Sequence, residues 1–248
     1  MANPIKQFEI QPLAEFTVGS LDLSFTNSSL WMAIAVVLST TFLTMATRRK
    51  ALVPNRMQAF AEGLYEFVAG MIRENIGSKG RQYFPLIFTL FVVVLLGNML
   101  GMIPYSFTYT SHIIVTAALA FFIFFIVLVV GFAKHGFHFF SLFLPPGVPM
   151  WLTPLIIPIE ILSFLIRPVT LSVRLFANMI AGHIMLKVFA GFSVGMMGAG
   201  GLLAFGGIGP MLFNTVLIGF ELLIAFLQAY VFAILSCIYL KDTVEIGH

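Results

Sequence analysis

Charge is scarce in this chain. Of its 248 residues only 10 are acidic and 13 basic, while 60% are hydrophobic. A water-soluble fold of this length needs a far larger polar shell, so the composition excludes one. Cysteine is nearly missing. Cys237 is the only one, which excludes an internal disulfide and any multi-cysteine metal site. A strong basic excess is missing too. The formal net charge is +3 and there is no basic tract, so nucleic acid is not an expected partner. The N-terminus, MANPIKQFEIQPLAEF, lacks a basic region followed by an apolar core, so no cleavable signal peptide is expected. His135 and His138 are too few to argue for a metal, and no cofactor is expected.

What the chain has instead is long apolar runs. It reads as an all-α polytopic membrane protein, a single membrane domain over 1–248. An outer N-terminal segment (1–27) leads into a first span over 28–47, which ends in Arg48, Arg49 and Lys50. Over 54–76, Met57, Phe60, Ala61, Leu64, Phe67, Val68 and Met71 recur at helical spacing, with Gln58, Glu62, Glu66 and Arg73 opposite. That pattern predicts an amphipathic helix lying on the membrane surface. Further spans are expected over 84–103 and 113–133, joined by the short loop PYSFTYTSH. KHGFHFFSLFLPPGVP follows as a Pro/Gly-broken linker.

The last two runs, 150–190 and 202–240, are too long for ordinary spans. As helices each would reach roughly 60 Å, about twice the bilayer core. Each is either two short spans or one steeply tilted helix. The basic residues bear on that choice. Arg48, Arg49, Lys50, Arg56, Arg73, Lys79, Arg81, Lys134 and Lys241 share one side if the first span runs outside to inside, and only Lys6 falls on the other. The excess marks the cytoplasmic side, so the N-terminus is expected outside and the C-terminus inside. An extra crossing in only one long run would put Lys241 outside.

Polar residues in the two runs form stripes. Glu160, Arg167 and Arg174 are spaced by seven, which returns to nearly the same helix face. Thr170 and Asn178, each four residues from Arg174, join them. In the second run Asn214, Glu221 and Gln228 are again seven apart. Ions at membrane depth cost about 2.5–3.5 kcal/mol each on insertion scales, so both stripes are expected to face protein or water. In an antiparallel hairpin, residues at equal depth share an index sum. Arg174 with Gln228 gives 402 and His183 with Glu221 gives 404. The turn should then fall near 201–202, inside the glycine-rich GMMGAGGLLAFGGIG. This agreement favours two long helices. His183 lies half a turn round a straight helix from Arg174, and Pro168 offers a kink that could re-aim it. Glu160 is expected near the inside, Arg174 and Gln228 near the middle, and His183, Glu221 and Asn214 toward the outside.

Arginine cannot deprotonate, whereas carboxylates and imidazole exchange protons. A fixed cation between titratable groups suits a divider between two half-paths. On spacing alone, a static salt bridge within the chain explains Arg174 equally well. A secondary transporter would show internal repeats, which are not found here, and a membrane scaffold with buried ion pairs is the third option. Arg167 reads as a snorkelling or interface charge, and Lys187 similarly at the outer end.

RLFANMIAGH, followed by FELLIAFLQAYVFAILSCIYL, resembles subunit a of the F-type ATP synthases. The match lies in Arg174, Leu175, Asn178, Ala181, Gly182 and His183, then Leu227, Gln228, Ala229 and Tyr230. The span order and the GNMLGMIPY stretch at 97–105 also fit. The resemblance implies that Arg174 is the essential arginine facing the carboxylate of a rotating subunit c ring. It implies Gln228 and Asn178 near that arginine, Glu160 at an inner half-channel, and His183 with Glu221 in an outer one. Some family members carry these last two residue types exchanged. Asn214 extends the outer path, and Thr170 is a possible lining residue. The resemblance further implies two tilted helices along the ring, a subunit b peripheral stalk as second partner, and a bacterial inner membrane in preference to a mitochondrial one.

Overall fold

The computed structural model describes residues 8–15, 17–18, 21–22, 24–48, 53–103, 106–144 and 151–244. Lys6, Arg49, Lys50, Pro104, Tyr105, the PPGVP end of the linker and Met150 lie outside the described residues.

The described chain is helical apart from a small N-terminal element. There, β1 (Pro12–Ala14) pairs antiparallel with β4 (Phe25–Thr26), and β2 (Thr17–Val18) with β3 (Leu21–Asp22). The sequence offered no alternation long enough to signal these two- and three-residue strands. The helices are α1 (Asn27–Thr47), α2 (Arg56–Asn75), α3 (Phe84–Gly101), α4 (Ile113–His135), α5 (Thr153–Gly198), the short α6 (Gly201–Gly206) and α7 (Ile208–Val244). Among the described residues five helical segments are long and apolar enough to cross a membrane, and α2 is not one of them. Asn55 caps α2, its side chain accepting from the Arg56 amide. Ala61, Val68, Met71 and Ile72 are buried, while Met57 and Phe60 are exposed.

The first long run is one helix, α5, and the second is the short α6 followed after Gly207 by one long helix, α7. Pro158 and Pro168 both sit inside α5, whose ladder continues to Gly198. A proline removes one backbone donor, which a long helix tolerates where neighbouring groups satisfy the freed carbonyl. The turn comes at Gly200 and Gly201, with φ of 73° and 63°, a conformation that only glycine adopts at low cost. Ser193 donates to the Gly207 carbonyl across this turn at 2.8 Å, and the Phe189 and Phe213 rings pack at 4.7 Å. These pairs keep the index sum expected of an antiparallel hairpin.

The chain forms two compact units, and α1, α3, α5 and α7 contribute to both. The first gathers Met1–Phe42, Val93–His112 and Leu175–Ala229. Its core holds Val94, Phe107, Tyr109, Leu175, Met179, Ala225 and Ala229. Asn98, fully buried on α3, donates to the Ala225 carbonyl of α7 at 3.2 Å. The second gathers Leu43–Val92, Ile113–Arg174 and Tyr230–His248. Its core includes Val68, Ile87, Phe91, Ile123, Val127 and Phe232. The expected linker is folded over its first half: a 3-10 helix, Gly136–Phe143, buries Phe139 against Phe132 and Phe164. The tilted and edge-on ring contacts there are geometries that aromatic pairs favour.

Candidate functional site

His183 is a heavily engaged polar residue of the first unit. It stands on α5, 7% exposed, with Glu221 of α7 facing it, 4% exposed. Nδ1 of His183 is hydrogen-bonded to Oε1 of Glu221. On the other side of the ring, Nε2 lies 3.0 Å from the Gly101 carbonyl and 2.8 Å from Thr108 Oγ1. Thr108 also donates to the Gly101 carbonyl at 3.1 Å. Phe8 of the N-terminal segment stacks on the imidazole, centroids 6.2 Å apart. Burying two titratable groups is costly unless they pair, and here each supplies the other's partner.

Close approach makes this cluster possible. A Cβ on Gly182 would stand 2.8 Å from Oε1 of Glu221, and one on Gly101 would stand 2.5 Å from Thr108. Residues Phe107 to Ser111 are all buried, and Ser111 Oγ fixes the Thr108 carbonyl at 2.6 Å. Burial pushes the Tyr109 phenol up from its ordinary value, so it stays protonated and donates to the Val93 carbonyl at 3.0 Å.

The pair opens onto a cavity of about 970 Å³ in the same unit. Glu9, Lys187 and Asn214 line it with His183 and Glu221. Glu221 Oε2 and Asn214 Oδ1 are buried polar atoms with no hydrogen-bond partner among the described residues. Lys187, read from sequence as an end-of-span charge, belongs to this lining. Asn178 is half-buried in the first unit, and Gln228 is 7% exposed.

In the second unit a smaller cavity, about 190 Å³, is lined by Glu160, Phe164, Arg167 and Asp242, with Leu142 and Phe143. Arg167 is no free snorkelling charge. Its Nη1 donates to Asp242 Oδ2 at 2.8 Å, and its guanidinium sits 5.2 Å from the Tyr239 ring. Thr170 is exposed, and its hydroxyl is spent on the Arg167 carbonyl of its own helix at 2.9 Å. Arg174 differs from all of these. It is exposed and forms no ion pair with a described residue. The static salt bridge within the chain is therefore absent among the described residues.

Arg174 and His183 are nine residues apart on one continuous helix, a spacing of half a turn in regular helix geometry. On α5 of the second unit, Leu162, Ile166, Val169 and Val173 form an uncovered stripe beside Arg174. On α7 of the first unit, Val216, Phe220, Leu223 and Leu227 form another. Both run at the i, i+4, i+7, i+11 spacing of one helix face.

Sequence reasoning missed Thr108, Gly101, Glu9 and Asp242 as members of these sites. The polar run Ser106–Ser111, too short to be a domain and too Ser/Thr-rich to be idle between apolar spans, was the available signal for Thr108.

The sequence profile of the family described as ATP synthase A chain matches residues 29–241. The chain is 57% identical to ATP synthase subunit a of Rhodospirillum rubrum over 245 residues, 99% of each chain. It is 54% identical to ATP synthase subunit a of Agrobacterium fabrum over 250 residues, covering both fully. The same named subunit of Chelativorans sp. is 54% identical over 248 residues, 99% of each.

Proposed function

The chain belongs to the ATP synthase A chain family, and from that premise we propose how its residues carry protons. It is the proton-translocating subunit of the membrane sector of an F-type ATP synthase, a multi-pass membrane protein and a channel component that performs no catalysis itself. Family membership implies partnership with the subunit c ring and the subunit b stalk.

In the proposed pathway protons enter from outside through the larger cavity, past Asn214, to Glu221 and His183. They neutralise a carboxylate on the ring, which then travels through lipid uncharged. Ionised, it would cost about 2.5–3.5 kcal/mol or more at mid-membrane. After nearly a full turn the carboxylate releases its proton toward Glu160 and the smaller cavity. Arg174 attracts the ionised carboxylate and, as a permanent cation, blocks direct leakage between the half-paths. Asn178 and Gln228 flank it, and Thr170 is a minor lining residue. Each proton crossing 100 mV supplies about 2.3 kcal/mol to bias ring rotation.

One observation carries this reading. The buried His183–Glu221 pair opens onto a cavity, while Arg174 stands exposed beside an uncovered apolar stripe without a counter-charge among the described residues. That is the arrangement of a cation whose partner is another protein. The two stripes are surfaces of the kind a ring of apolar helices would cover. The basic residues and an odd number of spans support an outer N-terminus and a cytoplasmic C-terminus. The bacterial relatives support a bacterial inner membrane.

Arg174→Ala in the assembled complex tests the proposal through ATP-driven acidification of membrane vesicles. Pumping should be lost while subunits a and c still copurify. Acidification at the wild-type rate would refute the divider role.

A further inference from the structure

Both nitrogens of His183 are engaged, and the partners on one side restrict its chemistry. The Gly101 carbonyl, 3.0 Å from Nε2, can only accept a hydrogen bond. A bare Nε2 would press its lone pair against that oxygen in a buried site. Thr108 could not relieve both, because its hydroxyl has one proton, and it already has donor geometry to the same carbonyl. With a proton on Nε2 every group is satisfied. Nε2–H points at Gly101 O and Thr108 Oγ1, and the Thr108 hydroxyl donates to Gly101 O.

We propose that Thr108 is a positioning residue of the outer proton path. Its hydroxyl and the Gly101 carbonyl pin the Nε2 proton, so His183 exchanges protons only at Nδ1, with Glu221. This rests on the pathway reading above and deepens it. The ring is not a two-sided relay. A proton arriving through the cavity that Glu221 lines binds Glu221 at Oε2, its buried oxygen without a partner among the described residues. The proton between Oε1 and Nδ1 moves toward the imidazole as Oε2 is loaded, which gives imidazolium beside carboxylic acid. Release to the ring carboxylate returns the pair to one shared proton. Nε2 keeps its own proton throughout. Glu9 from the N-terminal segment and Lys187 on α5 also line this cavity, and Phe8 stacks on the imidazole. A change at Thr108 leaves all of them in place.

The whole complex in proteoliposomes, with its ATP-forming sector outward, synthesises ATP at fixed membrane potential while luminal pH is varied. Thr108→Val removes the hydroxyl and keeps the shape. It should raise the luminal proton concentration needed for half-maximal rate about tenfold, the lower end of what one charge-assisted hydrogen bond is worth. Thr108→Ser should restore the wild-type profile. If Thr108→Val does not assemble, Thr108→Ala is read in the same way. An unmoved profile in the hydroxyl-free variant, or a serine variant shifted as far, overturns the proposal. Glu221→Gln is run in parallel. Its loss of synthesis, together with an unmoved Thr108→Val profile, refutes the Thr108 role alone. Wild-type synthesis by Glu221→Gln refutes the pathway reading itself.

Discussion

Gly182→Ala would test the His183–Glu221 pair without removing either member. The new Cβ would stand 2.8 Å from Glu221 Oε1 and 3.1 Å from its Cδ, where ordinary contact begins at 3.4 Å. The oxygen must therefore retreat about 0.6 Å. It cannot do so freely, because Glu221 is 4% exposed and this same oxygen holds His183 Nδ1. A weakened charge-assisted hydrogen bond costs up to about 1.5–3 kcal/mol, roughly ten- to 150-fold in a rate that depends on it. The helix itself should gain, since alanine is favoured over glycine by about 0.8–1 kcal/mol in a helix interior. The complex should thus assemble while losing transport. Gly191→Ala and Gly195→Ala, on the same helix with nothing within 4 Å of the new methyl, serve as controls and should pump normally. The assay is ATP-driven quenching of a pH-sensitive dye in vesicles, normalised to assembled complex. Wild-type quenching by Gly182→Ala would refute the claim that this spacing matters.

Asn98→Leu should lower the thermal stability of the assembled complex by about 0.6–1.7 kcal/mol, the range for a hydrogen bond between membrane helices, through loss of its bond to the Ala225 carbonyl. An unchanged inactivation temperature would show that this bond contributes nothing. For Arg167 and Asp242, side chains 30% and 33% exposed, a double-mutant cycle to alanine should give a coupling below about 1 kcal/mol. A value above about 3 kcal/mol would instead indicate a pair buried in the complex.

The long helices were legible in the sequence because membrane depth imposes arithmetic. A hairpin of two continuous helices fixes an index sum, and the pairs His183–Glu221 and Phe189–Phe213 obey it. Arg167 and Asp242 depart from it for a physical reason. A helical side chain leans toward its own N-terminus, so a long arginine and the aspartate leaning back toward it meet across about one and a half to two turns. Pro158 and Pro168 both lie inside α5, which continues through them to Gly198. The folded half of the linker escaped notice because His/Phe-rich sequence beside glycine reads as irregular until a surface exists to bury Phe139.

Sequence alone determined what must hold in any membrane fold: apolar length sets the spans, seven-residue spacing sets the stripes, and glycine sets the turn. These follow from local geometry and from the cost of charge in lipid. Only the tertiary structure decided which polar groups meet. Thr108 and Gly101 reach His183 from 75 and 82 positions away in the chain, and Glu221 from 38. Such contacts depend on how helices pack to within a few tenths of an ångström, which no periodicity encodes. The structure likewise separates the paired His183 from the exposed Arg174, because burial belongs to the packed chain and not to the residue type.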